Sequence, residues 1–439
     1  MPRKKRRLEP PSSSSLPSIM SETDASSSLN RKFWIGLGAL LLFSLVTKWI
    51  RLGYPSNFYF DEVYHAFTAT RYLHSDAEAY SPWGAHPAGV AYEWTHPPLA
   101  KLLMTGFMLI FGENSFGWRF GSTLFGTLSI GLTALVAFEL FGSAFIAWLS
   151  AFFLTFEGLH FTQSRIAMND SYFVCFMLFG LLFYLKWKKN PNAKPMNLYW
   201  SAIGLGLAAA TKWTTLYVFM LIFIDITTSW FFYRQRPKTA QLVEAALAFT
   251  VIPAVIYLAS YLQMFMQGRD LGFFWTVQKQ MWYYHSQLKA THSYQSKPYQ
   301  WVLNLRPVWM FVHYSEGRVG NIYNIGNGIV LWMGLFAAWW GLFKERNWTH
   351  MKRFLFIAYF ILWAPWMLSP RIMLFYHYLP AIPFLCIILA RYLSTRVDLR
   401  VITICLTVFW FVLFYPHMTA IDVPKEFADA IYFLWPGWK

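Results

Sequence analysis

The chain has 439 residues, of which 56% are hydrophobic, 21% aromatic and 13% charged, with a formal net charge of +16. Soluble domains average about a quarter charged residues, so an ordinary soluble enzyme is excluded. Apolar runs near the length of a bilayer crossing recur along the chain, without the period-2 alternation of a transmembrane barrel. The fold class read from this is an all-α polytopic membrane protein. Lys and Arg cluster between the apolar runs, where the positive-inside rule puts them, so the charge does not point to nucleic acid. Cys175, Cys386 and Cys405 lie in apolar segments and outline neither a disulfide framework nor a metal site.

Residues 1–32 form a basic, Ser- and Pro-rich tail expected to be disordered and cytoplasmic. Eleven spans are expected, at about 33–51, 118–141, 143–160, 171–187, 197–211, 214–232, 241–264, 326–343, 354–368, 379–393 and 401–416. Cationic groups mark the cytoplasmic loops: Lys186, Lys188, Lys189 and Lys194; Arg234, Arg236 and Lys238; Lys344, Arg346, Lys352 and Arg353; Arg391, Arg396 and Arg400. The opposite face then receives 52–117, 160–170, 212–213, 265–325, 370–378 and the tail 417–439. A helix is expected over 61–74, and an interfacial helix after His96-Pro97-Pro98, whose prolines suit a helix start.

The residues able to do chemistry fall on that outer face. Asp61 and Glu62 are adjacent, so on a helix they point apart and have separate jobs; end-capping of a helix would also account for two acids there. Lys212 lies between two apolar runs, a costly position that implies function or a paired acid. Arg165, Lys212, Arg306 and Arg371 are cations suited to a phosphate. His96, Lys101, Asp170, His292, Tyr294, Tyr376 and His377 are candidates for positioning a substrate. The aromatics among them also fit an interfacial belt. No residue spacing argues for a metal.

Taken as an ordered set, several motifs resemble the protein O-mannosyltransferases. They are Phe60-Asp61-Glu62, His96-Pro97-Pro98 with Lys101, Arg165 with Asp170, Lys212-Trp213, His292-Ser293-Tyr294, Arg306-Pro307-Val308-Trp309 and His377-Tyr378-Leu379-Pro380. The resemblance implies a GT-C membrane glycosyltransferase whose catalytic unit covers 33–416, with the N-terminus cytoplasmic and the C-terminus outside. It implies inverting transfer of mannose, or a similar hexose, from a polyprenyl-phosphate carrier to Ser or Thr hydroxyls of secreted or membrane proteins. Asp61 would be the general base and Glu62 its acceptor-side neighbour. The implied partners are the lipid-linked sugar, an acceptor polypeptide met at the secretion translocon, and membrane lipid, with no cofactor beyond the donor. The 265–325 loop is too short for the β-trefoil MIR domain of eukaryotic members, which points to a compact bacterial-type member in an inner membrane. A GT-C transferase acting on a lipid or envelope glycan, and a lipid-phosphate transporter, are the alternative readings.

Overall fold

A computed structural model describes residues 29–191, 194–233, 238–287 and 289–439. The tail up to residue 28, and with it most of the expected disordered segment, lies outside the described residues, as do Arg234 and Arg236. The helices are α1 (Arg31–Trp49), α2 (His65–Leu73), α3 (Leu99–Phe111), α4 (Ser115–Phe141), α5 (Ala144–Thr155), α6 (Gly158–Gln163), α7 (Asp170–Lys189), α8 (Met196–Ala209), α9 (Thr215–Tyr233), α10 (Thr239–Ser260), α11 (Leu262–Met266), α12 (Leu271–Gln287), α13 (Pro298–Val302), α14 (Gly328–Phe343), α15 (His350–Ile361), α16 (Ile382–Ser394) and α17 (Val397–Thr419). Each expected span falls on one of them. Among the described residues, seven segments are long and apolar enough to cross a membrane, and shorter apolar helices accompany them.

Asparagines start the helices where the sequence turns apolar. The Asn30 side chain accepts from the Phe33 N–H at 3.0 Å, Asn114 accepts from Phe116 and Gly117, and Asn327 from Ile329 and Val330. α4 ends at Gly142, whose φ of 65° suits a residue without a Cβ. The centre of the bundle is α16, buried along nearly its whole length and packed on α5, α14 and α15. α1, α10 and α17 lie at the periphery with apolar side chains exposed, as lipid-facing helices require.

The outer segments depart from the expected pattern in two places. The stretch read as one helix over 61–74 is a 3-10 turn, Phe60–Val63, followed by α2. The aromatic loop after α13 contains strands: β1 (Val308–Ser315) and β2 (Arg318–Asn324) form a hairpin, and β3 (Val423–Pro424) from the C-terminal segment pairs with β2. The helical reading therefore describes the bundle and omits this small antiparallel sheet.

Lys48, on α1, is fully buried and its Nζ finds no partner among the described residues. An unpaired ammonium away from water is strongly unfavourable. The Lys48→Met variant is expected to melt several degrees higher in detergent while transferring its substrate normally. A lowered melting temperature would mean that the ammonium has a partner and holds the helix in place.

Candidate active site

Two cavities meet at the ends of the helices next to the 52–117 and 265–325 segments. The first, of about 400 Å³, is polar and is lined by Asp61, Tyr64, His65, Glu93, His96, Asn169, Asp170, Lys212, Tyr284, His292, Arg371, Tyr376 and His377 among others. The second, of about 520 Å³, has aromatic and apolar walls, including Trp213, Leu216, Tyr217, Trp282, Trp366 and Leu368. His96, Lys212, Arg371 and His377 line both and so mark the junction.

Asp61 sits on the 3-10 turn after α1. The backbone reaches it through Phe60, a left-handed non-glycine residue at φ 49°. Such a conformation needs support from outside the turn. The neighbouring carboxylate supplies it. Glu62 is fully buried and turned away from the cavity, with Arg119 of α4 gripping it as a fork: Nε donates to Oε1 and Nη2 to Oε2, each at 2.8 Å. The Ala167 N–H also donates to Glu62. Arg119 further donates to the carbonyls of Leu52, Pro55 and Asn57, tying the whole approach to Asp61 onto α4.

Three carboxylates face the first cavity. Glu93 receives the Lys101 ammonium and the His96 Nδ1, the latter at 2.9 Å. Burial opposes its ionisation, but Lys101 and His96 hold its carboxyl well below the usual range. Asp170, at the start of α7, pairs with Lys212 at 2.7 Å. Among the described residues Asp61 has no ion-pair partner and accepts one hydrogen bond, from the Tyr376 hydroxyl at 3.1 Å. Burial pushes its carboxyl up to about 7; the Tyr376 bond opposes that rise, and the charges of Asp170 and Glu93 add to it.

Burial lowers the pKa of the imidazoles of His65, His96 and His285 at the cavities. Burial holds His96 well below its ordinary value despite Glu93. Its contact with that carboxylate is therefore a hydrogen bond from Nδ1–H, which leaves Nε2 as an acceptor. Burial and the charge of Arg371 lower His285 to about 4, and burial lowers His65 to about 4. Arg371 contacts the His285 ring and has no acid partner among the described residues, so its charge is available to an anion.

Of the residues expected from sequence, Asp61, Lys212, Arg371, His96, Asp170, His292, Tyr376 and His377 come together at these cavities. Lys101 stands behind Glu93, fully buried. Four others do not line either cavity. Glu62 belongs to the Arg119 clamp and points away from the cavity. Arg165 donates through Nη1 to the carbonyls that end α1, including Ile50 at 2.9 Å. Arg306 donates to the carbonyls of Ser293, Gly437 and Lys439, fastening the outer loop to the C-terminal segment. Tyr294 packs its ring beneath Arg306. Glu93, His65, His285 and Arg119 were missed by the sequence reading. Arg119 carried a usable signal, a cation between Trp118 and Phe120 in an apolar helix.

A family model described as dolichyl-phosphate-mannose-protein mannosyltransferase matches residues 38–267, and a second, described as the C-terminal four TMM region of protein-O-mannosyltransferase, matches 271–428. The chain belongs to the protein mannosyltransferase family. A polyprenol-phosphate-mannose–protein mannosyltransferase of Mycobacterium tuberculosis is 24% identical over 490 residues, covering 92% of either protein. One from Mycolicibacterium smegmatis is 23% identical over 495 residues, covering 92% of this chain and 93% of that protein. In fold, this mannosyltransferase matches the S. cerevisiae Pmt1-Pmt2 complex bound to its sugar donor, with a TM-score of 0.77 at 14% identity over 92% of each chain. ArnT of Cupriavidus metallidurans, bound to undecaprenyl phosphate, gives 0.57 at 17% identity, covering 83% of this chain and 61% of its own. The fold is that of the GT-C transferases, a multi-pass integral membrane architecture.

Proposed function

We propose that this mannosyltransferase moves mannose from polyprenyl-phosphate mannose to Ser or Thr hydroxyls of proteins in one inverting displacement, with Asp61 as general base. The observation that carries this is the state of the three cavity carboxylates. Glu93 and Asp170 are tied to lysines, and among the described residues Asp61 has no cationic partner. The acceptor oxygen attacks the anomeric carbon and Asp61 takes its proton as the bond to the phosphate oxygen breaks. With no second free carboxylate in the cavity to act as a nucleophile, a single displacement, and hence inversion, is the simplest course. The leaving phosphate gathers charge at the junction of the cavities, beside Lys212 and Arg371, where fixed cations stabilise it. The sugar lies in the polar cavity and the prenyl chain follows the aromatic one. The active site faces the extracytoplasmic side of a plasma membrane, a reading supported by the basic loops at the opposite ends of the helices.

The test is transfer by the purified chain from polyprenyl-phosphate mannose to Ser- and Thr-containing peptides. Transfer to an envelope glycan but to no peptide would overturn the protein-acceptor reading. The pH profile of kcat/KM reports the base of the free enzyme. Only the carboxylate of Asp61 accepts a proton, so kcat/KM is expected to fall about tenfold per unit below pH ~7 and to level off above it. A profile flat down to the ordinary carboxylate range would exclude Asp61 as the titrating base.

A further inference from the structure

The outer sheet leaves one edge of β1 open. Strand order is β1-β2-β3, so β1 has β2 on one side only. Register fixes which groups face outward. Val312 lies opposite Asn321, and the Asn321 carbonyl accepts from the Ala420 N–H at 2.8 Å, away from β1. The Val312–Asn321 pair is therefore of the non-hydrogen-bonded kind, and the N–H and C=O of Val312 point off the sheet. Tyr314, two residues on, repeats the pattern. Among the described residues no other backbone segment pairs with this edge. Val312 and Tyr314 are 38% and 59% exposed. Natural sheets protect such edges with charge or proline. The run Phe311-Val312-His313-Tyr314-Ser315 has neither.

This edge adjoins the site. Phe311 packs on Tyr54 and Tyr59, with ring centroids 5.9 and 6.1 Å apart. Tyr59 precedes Phe60-Asp61, and the Phe60 ring meets that of Tyr376, whose hydroxyl holds Asp61. The β1 face and the polar cavity thus share one aromatic wall. An added strand would lie about 4.8 Å from β1 and advance about 3.3 Å per residue, a short reach along that wall. Of the 265–325 segment, α12 packs on Phe67, Tyr72 and Tyr80, whereas the hairpin packs on the main core and leaves the β1 edge uncovered.

We propose that the free edge of β1, from Val312 to Ser315, binds the acceptor polypeptide as an added strand and delivers its Ser or Thr hydroxyl to Asp61. This rests on the reading of the chain as a protein mannosyltransferase. Main-chain pairing supplies the affinity, as in other cases of strand addition.

The test measures peptide binding and mannose transfer separately on the full chain in detergent. Proline is tolerated on an edge strand where its missing N–H faces outward. Val312→Pro is expected to melt as the wild type does and to bind a fluorescent, extended Ser/Thr peptide roughly tenfold more weakly. Val312→Thr keeps the N–H and should bind as the wild type does. A peptide N-methylated at alternate residues should lose the same affinity on the unmodified protein. Transfer to the peptide should show the loss in KM with kcat nearly kept. Unchanged affinity in Val312→Pro, or for the N-methylated peptide, overturns the proposal. So does a Val312→Pro variant that dissociates a dimer of the chain while binding peptide normally, since the edge then pairs with a second copy. Intact, edge-dependent peptide binding without mannose transfer would instead overturn the enzymatic reading and leave the edge site standing.

Discussion

Asp61→Asn is expected to lower kcat for mannose transfer by about 10²–10⁴-fold, the range that a lost general base commands. The substitution is close in shape and keeps an oxygen to accept from Tyr376, so donor binding should survive. Stability should survive as well. The carboxyl of Asp61 stands near 7 when folded, above its ordinary 3.8, because burial disfavours the charge. A group shifted upward weakens the fold as pH climbs from the lower value to the higher, since the unfolded chain releases its proton first. An amide carries no such penalty, so the variant should melt at or above the wild-type temperature near neutral pH. Its residual transfer should also lose the limb of the pH profile near 7. Together these readouts separate loss of a base from loss of structure. Wild-type turnover by the variant would remove Asp61 from the chemistry, and a large drop in melting temperature would assign it a structural task.

Much of the arrangement was legible because membrane proteins restrict their charges. Lys212 stood out as a cation in an apolar setting, and Asp61, His96, Arg371 and His377 as polar groups at the outer ends of spans. The structure brings all five to one pair of cavities. Direction was not legible. Arg165 and Arg306 have the composition of phosphate ligands, but both are turned onto carbonyl groups, at the end of α1 and in the C-terminal segment. Those partners exist only once the chain is folded. Glu93 was overlooked although it lies three residues before His96 and eight before Lys101, a spacing that lets one carboxylate meet both. The hairpin was hidden by its aromatics, which also suit an interfacial belt. The Glu316-Gly317 turn between two runs rich in β-branched and aromatic residues was its signal.

The Arg119 clamp carries the other large expected effect, this time on the fold. Removing one partner of a buried ion pair strands the other without water, at a cost of about 3–5 kcal/mol. Arg119→Met would leave Glu62 in that position, since Glu62 is fully buried and its other donors are backbone N–H groups. The carbonyls of Leu52, Pro55 and Asn57 would lose a donor at the same time. The variant is expected to accumulate poorly in membranes and to melt far below the wild type. Adding Glu62→Gln should recover part of the loss, because the stranded charge disappears while the missing donors do not, and the two substitutions should therefore be strongly non-additive. Arg119→Lys separates folding from catalysis. Lysine keeps the charge but offers a point contact in place of a fork. That variant should fold yet hold the Phe60-Asp61 turn loosely. On the proposed mechanism Asp61 takes the acceptor's proton in the transition state, so misplacing it should lower kcat more than it raises KM for the donor. The left-handed Phe60 makes the turn sensitive in this way, because a strained residue relaxes as soon as its surroundings permit. Wild-type melting and turnover in Arg119→Met would show that the turn holds its shape without the clamp. Full turnover in Arg119→Lys alone would show that charge, and not the fork, is what the turn requires.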